Sequence, residues 1–194
     1  MFNDLSSTAA LLATRRSGKA RDLAAPGPND AQLREILQAA MRVPDHGKLA
    51  PWRFVVVPLD QRDAFAAMLR TAYLKASPGA GRLELEAMDQ FAQQAPTMVA
   101  ILSTPAAGSK IPVWEQELSA GAACMTMLVA AHAQGFAGNW LTAWPAFNED
   151  VLVSLGGKPN DKIAGFVFIG TQVKPLEERP RPTYEAVVST WKGG

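Results

Sequence analysis

From Leu118 to Phe147 the chain carries no Asp, Glu, Lys or Arg, and no other stretch limits its fold so sharply. A run this long and this free of charge raises the question of a membrane span. It is interrupted, however, by Ser119, Thr126, His132, Gln134, Asn139 and Pro145, and Gly135 and Gly138 break it near the middle. The parse that respects those residues is a helix from about Trp114 to Gln134, a glycine turn, and a strand. A helix apolar on every side is one covered on every side. A chain of 194 residues has few places to cover one completely by itself. Ala120, Gly121, Ala122, Ala123, Ala130 and Ala131 would let another backbone approach closely. Two readings stand: a helix at the centre of a homodimer, or one buried beneath the chain's own sheet.

The second informative stretch is Arg15-Arg16-Ser17-Gly18-Lys19, which ends a short amphipathic helix marked by Leu5, Ala9 and Leu12, with Ser6 or Ser7 as N-cap. Guanidinium forks match phosphate oxygens two at a time, so this cluster is either an anion site or a solvated basic turn. A second helix carries Leu33, Ile36, Leu37, Ala40 and Met41, with Asn29 and Gln32 spaced as a capping box. Pro44 ends it, Gly47 loosens the loop, and Pro51-Trp52 leads into an apolar strand at Phe54 to Val57. Further helices are marked by Phe65, Met68, Leu69 and Ala72, by Leu83, Ala87 and Phe91, and by an Asn148 cap before Gly156-Gly157. Thr97 to Ser103 and Lys162 to Gly170 read as strands. Strands separated by helices predict an α+β domain with a central mixed sheet flanked by helices.

Together the Arg15–Lys19 and Arg42–Phe54 segments resemble the FMN-dependent nitroreductase family, most closely its small, single-domain NAD(P)H nitroreductase branch. The family's Arg-x-Ser followed by a basic residue matches Arg15, Ser17 and Lys19; its helix end, polar loop and Pro-Trp match Pro44, Pro51 and Trp52. Trp114–Gly121 resembles the start of its long central helix, Ala133–Phe136 the end, and Gly138–Thr142 the strand that passes the flavin. The chain departs from the broad family with Asp45-His46 and Ala50 in that polar loop, and from some close relatives with Leu141.

The resemblance implies a nitroreductase-like fold over 1–194, with a long buried central helix and an intertwined homodimer. Residues 176–194 would be a C-terminal extension packing on the partner subunit. It implies FMN held at its phosphate by Arg15, Arg16 and Ser17, with Lys19 near the pyrimidine edge and the Trp140-Leu141-Thr142 backbone along the ring. Arg42 and His46 would come from the partner chain. Arg181 is the candidate tail cation for the phosphate, against the alternative of a solvated arginine. In the close branch Ala130, Ala131, His132, Ala133, Gln134 and Gly135 are associated with the nicotinamide. The implied activity takes hydride from NADH or NADPH and passes it to a small acceptor such as a nitroaromatic or quinone, by a ping-pong mechanism. The alternatives are a non-catalytic FMN-storage or sensing protein, or a flavoenzyme with a non-nitro substrate (dehalogenation, flavin breakdown).

Other chemistries find little support in the sequence. Nineteen basic and eighteen acidic residues give no field for nucleic acid or an anionic membrane. The two histidines lie in different elements, with no cysteine or paired carboxylates at ligand spacing, so neither a metal centre nor a nucleophile triad is expected. No Gly-x-Gly-x-x-Gly is present to dock a dinucleotide permanently. The single Cys124 lies in an apolar run and reads as an inert packed thiol. With no secretory pattern at its start, the chain is expected to be cytoplasmic.

Overall fold

The computed structural model describes residues 1–193; the expected domain and its C-terminal extension end at Gly194, outside the described residues. Helix α1 (Thr8–Thr14) is capped by Ser7, whose hydroxyl accepts from the Ala10 amide at 3.1 Å. After strand β1 (Leu23–Ala24), α2 (Asp30–Ala40) starts at the capping box written in its sequence, with Asn29 and Gln32 exchanging bonds of 2.9 and 3.0 Å. Strand β2 (Trp52–Val57) is followed by the helical hairpin α3 (Arg62–Ala76) and α4 (Arg82–Gln93), then by β3 (Thr97–Ser103). The long helix α5 (Val113–Ala133) leads into β4 (Ala137–Leu141). Helix α6 (Glu149–Ser154), capped by Asn148, precedes the longest strand, β5 (Lys162–Gln172), and a short α7 (Tyr184–Val187) lies in the tail.

The α+β class holds, but the expected mixture of strand directions is absent within the described chain: every pairing is antiparallel. The order is β1-β5-β3-β2, with β4 also paired to β5. The reason lies in the connections. The helical hairpin between β2 and β3 returns the chain so that β3 lies beside β2 in the opposite direction. Helix α5 makes a crossover from β3 to β4, which run the same way, but β5 slots between them antiparallel to both.

Alternate residues of β3 and β5 feed two cores. Met98, Ala100, Leu102, Phe166 and Phe168 pack with Phe65, Leu69 and Phe91 of α3 and α4. Val99, Ile101, Val167 and Ile169 pack with Ile36 and Ala40 of α2 and with Cys124, Met127, Leu128 and Ala131 of α5. Burial pushes the Cys124 thiol up to about 12, as fits an inert packed side chain.

The expectation for α5 needs refinement. Its own chain covers one face, through Gln116, Ser119, Ala120, Ala123, Cys124, Met127, Leu128, Ala131 and His132. The opposite face carries an apolar stripe that nothing among the described residues covers fully. Trp114 and Leu118 are 62% and 60% exposed, and Ala122, Met125 and Val129 are half-buried. No helix among the described residues is long and apolar enough to cross a membrane.

Candidate functional site

The residues that follow α1 are gripped rather than loose. Asn3 bonds both sides of the Arg16 peptide, accepting from its amide at 2.8 Å and donating to its carbonyl at 3.2 Å. Gly18 lies so close to β5 that a Cβ there would stand 1.8 Å from Gln172 Oε1, so a larger residue would have to displace the end of that side chain. The Asn139 amide donates to the Gly18 carbonyl. Thus β4 and β5 fix where the basic cluster points.

That cluster opens into a cleft of about 330 Å³ lined by Arg15, Arg16, Ser17, Arg179 and Arg181 on one side and Asn139, Trp140 and Leu141 on the other, with Met125 and Leu128 of α5 as its floor. Arg15 Nη1 donates to Ser17 Oγ at 3.1 Å. Arg16 donates to the Glu177 carbonyl from Nε and to the Ser17 carbonyl from Nη1, both at 2.8 Å, which ties the C-terminal segment to the cluster. Four guanidiniums line the cleft and no carboxylate does. Among the described residues Arg181 meets a carboxylate at Glu178, 4.0 Å away. The Arg15 guanidinium is accordingly held below its usual range by burial, and then by the charges of Arg181 and Arg16. Such repulsion is relieved by a bound anion, and a phosphate suits the donor geometry. Asn139 Oδ1, buried here without a partner, leaves an acceptor unsatisfied in the same wall.

Trp140 owes its place to a bulge. The β3–β5 register shifts at Ile101/Leu102, and Gly165 takes φ +152°. The indole lies where a Cβ on Gly165 would be, and its Nε1 donates to the Ala164 carbonyl at 3.0 Å. Strand β4 pairs on one side only, so alternate backbone amides along it face no neighbouring strand.

Of the residues singled out in the sequence, Arg15, Arg16, Ser17, Trp140, Leu141 and Arg181 line this cleft together. Lys19 and Thr142 are exposed nearby in sequence but do not line it, and Arg42 and His46 lie in the α2–β2 loop, outside it. The Ala130–Gly135 stretch does not line it either. Ala131 and His132 are turned into the core, and Gln134 bonds Glu35 at 3.1 Å; Ala133 and Gly135 are open to solvent. Sequence reading passed over Asn3, Asn139, Arg179, Met125 and Leu128. Only Asn139, inside the Gly138–Thr142 segment, carried any signal. A larger cleft of about 580 Å³ is lined by Arg21, Gln90, Gln94 and Trp144 among others, but Arg21 is the single cation in its lining.

The α2–β2 loop is strained and braced. Gly47, Lys48 and Ala50 all take positive φ (79°, 56° and 46°), which is free for the glycine but costly for Lys48 and Ala50, a cost that persists only where surroundings over-determine it. Asp45 closes the loop by accepting from the Leu49 and Ala50 amides at 3.0 and 2.8 Å, which gives this departure from the family's polar loop a structural role. Ser119 of α5 donates to the Pro44 carbonyl at 2.7 Å and accepts from the Trp52 indole at 3.2 Å. His46 Nδ1 lies 2.8 Å from Glu115 Oε2. Among the described residues no group of side chains is arranged to hold a metal ion.

Comparison with known proteins gives this geometry its context. Residues 12–171 match the Nitroreductase family. The protein named "Putative NAD(P)H nitroreductase YdjA" of Escherichia coli strain K12 is 38% identical over 161 residues, 83% of this chain and 86% of that one. A Haemophilus influenzae protein with the same general name is 34% identical over 172 residues, 88% of this chain and 91% of that one. Among solved structures, a nitroreductase-like family protein of Bacillus cereus shares the fold at TM-score 0.81 and 17% identity, covering 97% of both chains. A Bacteroides fragilis nitroreductase with bound FMN aligns at TM-score 0.65 and 19% identity, over 93% of this chain and 96% of that one. With a family match over most of its length and relatives above 30% identity, this chain belongs to the nitroreductase family.

Proposed function

We propose that the protein is an FMN-dependent oxidoreductase that takes hydride from NADH or NADPH and passes it to a small acceptor such as a nitroaromatic or quinone, acting as a homodimer. The observation that carries this reading is the cleft with four arginines and no carboxylate. It suits the phosphate of a mononucleotide, and it lies beside a β4 edge with free backbone donors. The relatives' name, NAD(P)H nitroreductase, supports NAD(P)H as co-substrate, and the Bacteroides fragilis structure holds FMN.

FMN, when bound, supplies the redox chemistry, accepting hydride and giving it up again. The chain supplies position and charge. Arg15 and Ser17 hold the phosphate with Arg181 behind them, while Arg16 locks the tail in place. The Trp140-Leu141 backbone would run along the ring, and Lys19, exposed and not itself part of the cleft lining, would offer a cation to its pyrimidine edge. Met125 and Leu128 keep water from the inner side. The cleft lies near the lower end of the ~300–1,000 Å³ range of small-molecule sites. The chain thus offers half of a site, with the rest supplied by Arg42 and His46 of a second copy docked on the Trp114–Leu118 stripe. The exposed tail, with Tyr184, Val187 and Trp191 uncovered, would pack on that copy.

Anaerobic titration of the purified yellow protein tests the proposal. NADH or NADPH should bleach the flavin absorbance, and a nitroaromatic or quinone should restore it in a second, separate step. A flavin that binds but is bleached by neither nucleotide would make this an FMN-storage or sensing protein.

A further inference from the structure

Two residues one turn apart on α5 hold the strained α2–β2 loop: Ser119 grips it at Pro44 and Trp52, and Glu115 grips it at His46. A carboxylate only accepts, so the 2.8 Å contact requires the proton of a neutral His46 ring to sit on Nδ1. That leaves Nε2 unprotonated and outward, on an imidazole 66% exposed. Glu115 lies on α5, the helix that also carries the exposed Trp114 and Leu118, so His46 is tied to the helix that bears the uncovered apolar stripe. Asp45, the other carboxylate of the loop, is spent on the Leu49 and Ala50 amides, and Glu117 is bridged to Lys162 at 2.7 Å. Glu115 is thus the carboxylate that orients the ring.

The geometry points to Glu115 as a positioning residue: it fixes the tautomer and direction of His46, so that Nε2 is presented as an acceptor to the ligand held in the neighbouring copy's arginine cleft. This rests on the shared-site reading above. It explains why a strained loop is worth keeping, since three left-handed residues, one carboxylate clamp and two α5 contacts converge on one imidazole. The helix that forms the dimer face and the helix that sets the histidine are the same helix. Assembly and ring orientation are therefore coupled through α5.

The test uses protein labelled with ¹⁵N at histidine, which carries only His46 and His132; the His46→Ala variant assigns the signals. At a pH where the ring is neutral, His46 should show the Nδ1-protonated tautomer. Glu115→Ala should shift it toward the Nε2-protonated form, while Glu115→Gln, which keeps an acceptor oxygen at the same reach, should preserve it. In the holoprotein Glu115→Ala should weaken FMN binding roughly ten-fold. Glu115→Gln should largely restore it, and Glu115→Ala added to His46→Ala should cost nothing more. An unchanged tautomer in Glu115→Ala, or an equal loss of FMN affinity when His46 is absent, would overturn the assignment. A tautomer that shifts while His46→Ala leaves FMN affinity untouched would also end it, and would place the failure in the shared-site reading.

Discussion

Arg15 stands at the end of α1 with its guanidinium half-buried against Ser17 and held below its usual range, chiefly by burial and then by its cationic neighbours. Its removal should cost ligand affinity rather than fold, because its packing contribution at a helix end is small. Arg15→Ala should weaken FMN binding ten-fold or more, from the roughly 1.5–3 kcal/mol of a charged contact, with an unchanged circular dichroism spectrum. His132 makes the opposite case. Burial pushes its imidazole down to about 4, against the weaker upward pull of the Phe136 carbonyl, so it is neutral in the folded protein. The unfolded chain binds that proton near 6.5. Stability from this group is therefore complete above pH 6.5 and lost progressively as pH falls toward 4. The loss should reach about 2 kcal/mol at pH 5. Urea unfolding at pH 7 and pH 5 should show that difference in the wild type and lose most of it in His132→Asn. At this scale the sequence disclosed Arg15, Arg16 and Ser17 because they are contiguous. Asn139 and Arg179 reach the same cleft only through folding, and only through folding does Asn3 gain its hold on the Arg16 backbone beside it.

At the scale of elements, capping residues were legible because a cap is a local bargain: Asn29, Ser7 and Asn148 all start helices as their side chains dictate. The direction of the strands was not, since helices between strands suggest parallel neighbours until the antiparallel insertion of β5 is known. Helix α5 shows a similar limit. A sequence without charges conceals which face looks inward, and here the answer turns on a single position. Ala123 is fully buried against the chain's own core, whereas Ala122 lies half-buried on the outward stripe. Ala123→Glu should cost several kcal/mol by burying an unpaired carboxylate, and should fail to fold at any concentration. Ala122→Glu should yield a folded chain whose melting temperature no longer rises with protein concentration. Equal behaviour of the two variants would mean that the two faces of α5 are not the distinct surfaces described. Arg62 is a further hidden element-level contact. It is buried, and its guanidinium joins the carbonyls of Val57, Ala92 and Gln94, so that α3, α4 and the end of β2 are tied by one side chain.

At the scale of the whole molecule, the arginine cleft, the braced loop and the uncovered stripe make sense as parts of one object only if two chains contribute. On this proposal the cleft would hold a phosphate and His46, which lies outside its own chain's cleft, would serve the neighbour's, while α5 carries both the loop's anchors and the apolar face. Dimer and flavin should then be lost together. Light scattering with simultaneous flavin absorbance, on the wild type and on Leu118→Glu, tests this most directly. Leu118 is 60% exposed on the single chain, so its replacement spares the core. The account predicts a wild-type dimer carrying one FMN per chain, and a folded Leu118→Glu monomer that has released its flavin. A folded monomer retaining FMN one to one would contradict it, and would place the whole site within a single chain.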